Sequence, residues 1–228
     1  MTSLRILSTL AVMGAMREIA AQYEAEASIA IQADFAPTVA LLDRLRAGET
    51  ADIAILTAQG IDDLIAEGVL RAGTRTDVAL SFVGIAVKAG APKPDISSVA
   101  AFKATLLAAR SVAYSKIGAS GIFFAGLIER LGVAEQVNAN AVVVPSGFTA
   151  EYLVNGQAEL AVQQISELLV VPGIEVVGPL PTEIQTVATF SAGLLTGSTQ
   201  AAKAADLLRF LASPAIAPIL RRTGLQPA

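Results

Sequence analysis

Ser111–Gly132 reads SVAYSKIGASGIFFAGLIERLG, and this stretch decides the fold. Ser111–Tyr114 is a short β-type run, followed by a loop with Gly118 and Gly121. Ile122, Ala125, Leu127, Ile128 and Leu131 then recur at helical spacing, and Gly132 closes the helix. Flexible backbone and the Ser120 hydroxyl therefore stand at a helix N-terminus, where free N–H groups and the helix dipole attract anions. The same loop also reads as an ordinary capped βα turn with Ser120 as N-cap. It is not a P-loop, because no Gly-Lys-Ser/Thr ends it, and it lacks the Rossmann glycine triplet.

Outward from this unit the order strand, loop, helix repeats. On the N-terminal side, Leu4–Leu7, Ile29–Ala33 and Ile53–Leu56 read as strands. The helices that follow them cover Val12–Tyr23, Val39–Ala47 and Ile61–Glu67. Ala79–Lys88 is a β-rich run closed by the turn residues Gly90, Pro92 and Pro94. A second series then begins, with helix Val99–Ala109, the opening stretch, strand Ala141–Val144, loop Pro145-Ser146-Gly147 and helix Thr149–Asn155. Strands Leu160–Gln163 and Ile174–Gly178, a β-rich run Thr186–Leu195, and helices Ala201–Ala212 and Pro214–Arg222 complete the chain. Such alternation predicts an α/β fold with a largely parallel sheet, whose ligands sit beyond the carboxyl ends of strands. Ser8, Thr9, Thr38 and Thr57 all fall at those ends, where each also fits a cap or turn role.

Composition narrows the chemistry. Of 228 residues 54% are hydrophobic and 16% charged, which suits a large core and argues against disorder. A net charge of −4 offers no general attraction for nucleic acid or anionic lipid, so neither is expected as a partner. An anionic ligand would be held by local dipoles. With no His and no Cys, thiol nucleophiles, Ser-His-Asp triads, disulfides and the usual zinc sets are excluded, and no metal or cofactor is expected. Arg5 followed by Ile6–Met16 superficially resembles an export signal, with Ala25-Glu26-Ala27 as a cleavage site. Arg17, Glu18, Tyr23 and Glu24 interrupt that pattern, so the segment is read as strand and helix. The expected compartment is cytoplasmic, with the periplasm as the alternative. No apolar run is long enough to span a bilayer.

Four strings carry a family resemblance: AMREIA (Ala15–Ala20), LRAGETADIAI (Leu45–Ile55), ASGIFFAGLIERLG ending at Gly132, and QQISE (Gln163–Glu167). With the order of elements, they make nearly the whole chain resemble the periplasmic molybdate-binding proteins of ABC transporters, which are class II solute-binding proteins. The resemblance implies a two-lobed α/β fold, residues 1–81 plus 190–228 forming one lobe and 82–189 the other. Two crossing strands would serve as the hinge. It further implies a small anion held in the interlobe cleft and, if the protein is exported, an ABC permease as partner.

The family's ligand positions fall on Ala11, on Pro37-Thr38-Val39, at Ser120, at Ser146 and at Gln164, where the family carries a tyrosine. Ser8 and Thr9 lie close to the first of these. With Gly121, Gly147 and Gln163 they complete the expected ligand-binding set. Each hydroxyl lost against a tetrahedral dianion weakens binding by about 1–3 kcal/mol. An amide pair such as Gln163-Gln164 suits a planar carboxylate better. The chain is also similar to aconitate isomerase, an enzyme of the same family that shifts a double bond in a tricarboxylate. Such a reaction needs a base and an acid; without His the candidates are Lys116, Glu167 and Tyr114. Lys116 equally fits a plain electrostatic clamp, and Glu167 a helix-start glutamate. The leading expectation is a binding protein for a small carboxylate or oxyanion, and the alternative an isomerase of an unsaturated carboxylic acid.

Overall fold

A computed structural model of the chain describes residues 3–228. The chain divides into two compact units: one runs up to Ser81 and resumes at Ala188, the other spans Phe82–Val187.

Unit 1 opens with β1 (Ser3–Thr9), a single 3-10 turn at Leu10–Val12, and α1 (Met13–Ala27). β2 (Ala30–Ala36), α2 (Thr38–Arg46), β3 (Ile53–Thr57) and α3 (Ala58–Ala66) follow, and β4 (Thr76–Lys88) carries the chain into unit 2. There α4 (Val99–Ala108), β5 (Val112–Ser115), α5 (Ala119–Arg130), α6 (Ala134–Ala139) and β6 (Ala141–Val144) come first. Next are α7 (Glu151–Val154), β7 (Leu160–Gln164), α8 (Ile165–Leu168) and β8 (Ile174–Pro179). β9 (Val187–Leu194) returns the chain to unit 1, which ends with α9 (Ala201–Leu211), α10 (Ala217–Arg222) and the two-residue β10 (Gln226–Pro227).

In unit 1, β2, β1 and β3 are adjacent and parallel, and β9 runs antiparallel beside β3. Successive side chains of a strand point to opposite faces. Leu4 and Ile6 therefore join the core under α1, α9 and α10, while Leu7, Ala54 and Leu56 join the core under α2 and α3. The N-terminal apolar run is thus strand and helix in this core.

Unit 2 repeats the design. β6, β5 and β7 are parallel neighbours, and β4 pairs antiparallel with both β7 and β8. Val112, Tyr114, Leu160 and Val162 pack under α4, α5 and α6, whereas Ala113, Ala161 and Val144 pack under α7 and α8. The buried face of α5 is Ser120, Gly121, Phe124, Leu127 and Ile128. Ile122, expected on that face, is 53% exposed. The apolar stripe is read correctly from Leu127 and Ile128 but starts at Phe124. Both units are α/β sheets covered by helices on two faces.

Candidate functional site

The carboxyl ends of the parallel strands collect the polar side chains in each unit. In unit 1 the register sets Thr9 opposite Ala36 and Ser8 opposite Ile55, so β1, β2 and β3 finish level with one another. Ser8 and Thr9 are buried at the end of β1. The Ser8 hydroxyl donates to the Thr9 carbonyl at 3.3 Å. Thr57 caps α3 by accepting from the Gly60 amide at 3.3 Å. Thr38 is the first residue of α2, after Pro37, which has no side-chain acceptor to offer as a cap. Its Oγ1 is buried and has no hydrogen-bond partner.

In unit 2 the register pairs Ser115 with Val144 and Ala113 with Ala161, so β5, β6 and β7 also end together. The loop after β5 carries Lys116 and leads to Ser120 in the first turn of α5, the loop after β6 carries Ser146 and Gly147, and β7 ends in Gln163-Gln164. Lys116 is exposed and, among the described residues, has no ion-pair or hydrogen-bond partner. Ser120 is buried at the second helical position, and Gly118 takes the N-cap place that Ser120 fits on sequence. The amides of Gly121 and Ile122 turn back to the Gly118 carbonyl at 3.1 and 3.0 Å. Those of Ala119 and Ser120 have no acceptor within the helix and are the donors of its first turn.

Gly121 is required by packing. A Cβ there would lie 1.4 Å from the Ser115 carbonyl oxygen, so only glycine lets α5 seat against the end of β5. Gly147 has φ +82°, a left-handed backbone conformation that favours glycine. Ser146 is exposed beside it.

Gln163 organises the edge. Its Oε1 accepts from the Thr149 amide at 2.8 Å and from the Thr149 hydroxyl at 3.0 Å. Its Nε2 donates to the Gly147 carbonyl at 3.1 Å and also hydrogen-bonds Glu167. An amide has two lone pairs and two N–H groups, and all four are engaged. Expected to contact ligand, Gln163 instead ties the loop after β6 to α8. Gln164 and Glu167 form a reciprocal capping box, the Gln164 amide donating to the Glu167 carboxyl at 3.3 Å.

Glu167 is buried. Loss of solvation pushes its carboxyl up to about 8, although hydrogen bonds from the Gln164 backbone and the Gln163 side chain pull the other way. Its neighbour Ser166 is 4% exposed, and the Ser166 Oγ has no hydrogen-bond partner. Sequence reasoning passes over Ser166 because an unpaired hydroxyl leaves no local pattern. Tyr114 does not belong to this edge. It lies in the core with its hydroxyl donating to Asn138 Oδ1 at 2.6 Å and its ring edge-on to Phe124. Among the described residues no group of three or more Asp and Glu is placed to hold a metal ion, and no helix is long and apolar enough to cross a membrane.

Residues 4–226 match the family described as bacterial extracellular solute-binding protein. The chain belongs to that family. Within it, this solute-binding protein is 36% identical over 232 residues to a protein from Pseudomonas sp named aconitate isomerase, covering 99% of this chain and 88% of the other. Among solved structures it is similar to the periplasmic molybdate-binding protein of Azotobacter vinelandii, with a TM-score of 0.84 at 16% identity over 99% of both chains. It is also similar to the sulfate-binding protein SubI of Mycobacterium tuberculosis, with a TM-score of 0.77 at 13% identity. That match covers 100% of this chain and 88% of the other. At such identities the likeness to both is one of fold: the solute-binding protein has the α/β architecture of periplasmic binding proteins of the molybdate type.

Proposed function

We propose that this solute-binding protein takes a small polycarboxylic acid at the carboxyl edge of β5, β6 and β7, and that it shifts a double bond in an unsaturated one. The observation that carries the reading is Glu167, a buried carboxyl fixed by Gln163 and Gln164 one turn from the end of β7. An ordinary carboxylate is a weak base at neutral pH. One that titrates near 8 is matched to taking and returning a proton there. In the proposed step Glu167 removes a proton from a methylene beside a carboxylate. The electron pair spreads over the three-carbon unit, the double bond moves by one position, and the same proton returns at the far carbon. The amides of Ala119 and Ser120 and the Ser120 hydroxyl are suited to carboxylate oxygens, and Lys116 supplies a positive charge on the same loop. The Pseudomonas relative named aconitate isomerase supports this choice of substrate class.

Cis- and trans-aconitate incubated with the protein in heavy water and followed by proton NMR test the proposal. Interconversion that stops in Glu167→Gln, while aconitate still raises that variant's melting temperature, is the expected result. An inert mixture together with stabilisation by aconitate would leave a binding protein without turnover. That second reading is favoured by the family and by the solute-binding neighbours of the fold. Stabilisation by molybdate or sulfate, and by no di- or tricarboxylate, would replace the carboxylate with a tetrahedral oxyanion.

A further inference from the structure

Among the described residues only two buried side-chain polar atoms lack a hydrogen-bond partner, Thr38 Oγ1 and Ser166 Oγ. They occupy equivalent places. Thr38 stands two residues beyond the end of β2 and Ser166 two residues beyond the end of β7, each in the first turn of the helix that follows. Buried hydroxyls are ordinarily paired, because burial removes their water and leaves an unmet donor. Within a helix a serine commonly bonds the carbonyl four residues back. For Ser166 that carbonyl belongs to Val162, and it accepts instead from the Thr149 hydroxyl at 3.4 Å. The surrounding amides are engaged as well: Gln163 is saturated, and the Gln164 amide goes to Glu167. The fold therefore leaves one buried serine hydroxyl unpaired on the residue that precedes Glu167, the carboxyl invoked for proton transfer.

We infer that Ser166 is a ligand-binding residue, its hydroxyl donating to a carboxylate oxygen of the bound acid next to Glu167. The inference rests on the carboxylate reading above and adds a specificity contact to it. A ligand whose oxygen meets this hydroxyl removes an unpaired donor, and one lacking that oxygen leaves it unpaired.

The experiment pairs thermal unfolding of the ligand-free protein with calorimetric titration of trans-aconitate, cis-aconitate and citrate, for wild type and Ser166→Ala. Removing an unpaired hydroxyl should leave the melting temperature of the free variant unchanged or raise it. Affinity for the best-bound of the three acids should fall roughly 10- to 100-fold, the range for one hydrogen bond to a charged oxygen. Wild-type affinity in Ser166→Ala would overturn the inference and leave the carboxylate reading standing. A lower melting temperature of the free variant would also overturn it, because the hydroxyl would then have a partner inside the protein. Failure of wild type to bind any of the three acids would overturn the carboxylate reading and the inference together.

Discussion

The carboxyl edges of the two units are built on the same plan and furnished differently. In unit 1 the side chains at the ends of β1, β2 and β3 are short hydroxyls: Ser8, Thr9, Thr38 and Thr57. Each can donate or accept a hydrogen bond, and none titrates in the accessible pH range. In unit 2 the equivalent edge adds to its serine hydroxyls two amides and a carboxyl, cross-linked through Gln163 to a loop and through Gln164 to a helix start. Hydroxyls on a strand edge can hold an anion but cannot move its protons. A buried carboxyl held by amides can do both, so the proposed proton chemistry belongs to unit 2.

The seat of the first helix turn separates the two edges most sharply. Gly121 in α5 lies where a Cβ would meet the Ser115 carbonyl at 1.4 Å, whereas Gly60 in α3 leaves 3.2 Å to Thr57 Oγ1. Gly121→Ala must push α5 off the end of β5, and a loss of more than about 5 kcal/mol, seen as failure to fold cooperatively in urea, is expected. Gly60→Ala should stay within about 1 kcal/mol of wild type, the gain in helix propensity offsetting a tight contact. Equal effects of the two would dissolve the contrast between the edges.

The second prediction concerns pH. The Glu167 carboxyl titrates near the ordinary glutamate value of 4.5 when unfolded and near 8 when folded. Below about pH 4.5 both states hold the proton and burial of the carboxyl is not penalised. Between about pH 4.5 and 8 the unfolded chain ionises while the folded one does not, so stability falls; above about 8 the loss is complete. A glutamine side chain at this position does not titrate. The difference in unfolding free energy between wild type and Glu167→Gln should therefore drift by about 3–5 kcal/mol in favour of the variant across this window. A difference that stays flat from about pH 4 to 9 would mean that Glu167 is solvated and that the two edges are electrostatically alike.

These contrasts show which parts of the molecule are legible in its sequence. The alternation of strands and helices is local, and Leu4–Leu7, Ile53–Leu56 and Ala141–Val144 all lie in strands as expected. Thr38 and Ser120 fall at helix starts because a βα turn has a short, readable pattern. Among the short helices, α6 escapes a sequence reading because its six residues carry no detectable period, and of α8 only the start is legible. The role of Gln163 is hidden for a different reason. Its four hydrogen bonds go to three residues spread from Gly147 to Glu167, which meet only after β6 and β7 take their places on either side of β5. The Gln164–Glu167 spacing does announce a helix start, but the burial that perturbs Glu167 is a property of the packed unit. Ser166 is the extreme case, defined by the lack of any partner.

The smallest expected effect probes unit 1. Thr38 Oγ1 is buried and unpaired at the start of α2, where the backbone N–H groups of the first turn also lack intrahelical acceptors. Valine has the shape of threonine with a methyl for the hydroxyl and keeps the same branched Cβ. In the ligand-free protein Thr38→Val removes a desolvated donor and inserts an apolar group of matching volume. Stability should therefore rise by about 1 kcal/mol or stay level, as urea unfolding would register. A fall of about 1 kcal/mol or more would show that the hydroxyl has a partner in the free protein, and unit 1 would lose its candidate for an anion contact. Because no titratable group is exchanged, the change should not vary with pH. That flatness sets the baseline against which the slope expected at Glu167 is read: a hydroxyl that does not titrate at one edge, and a carboxyl that does at the other.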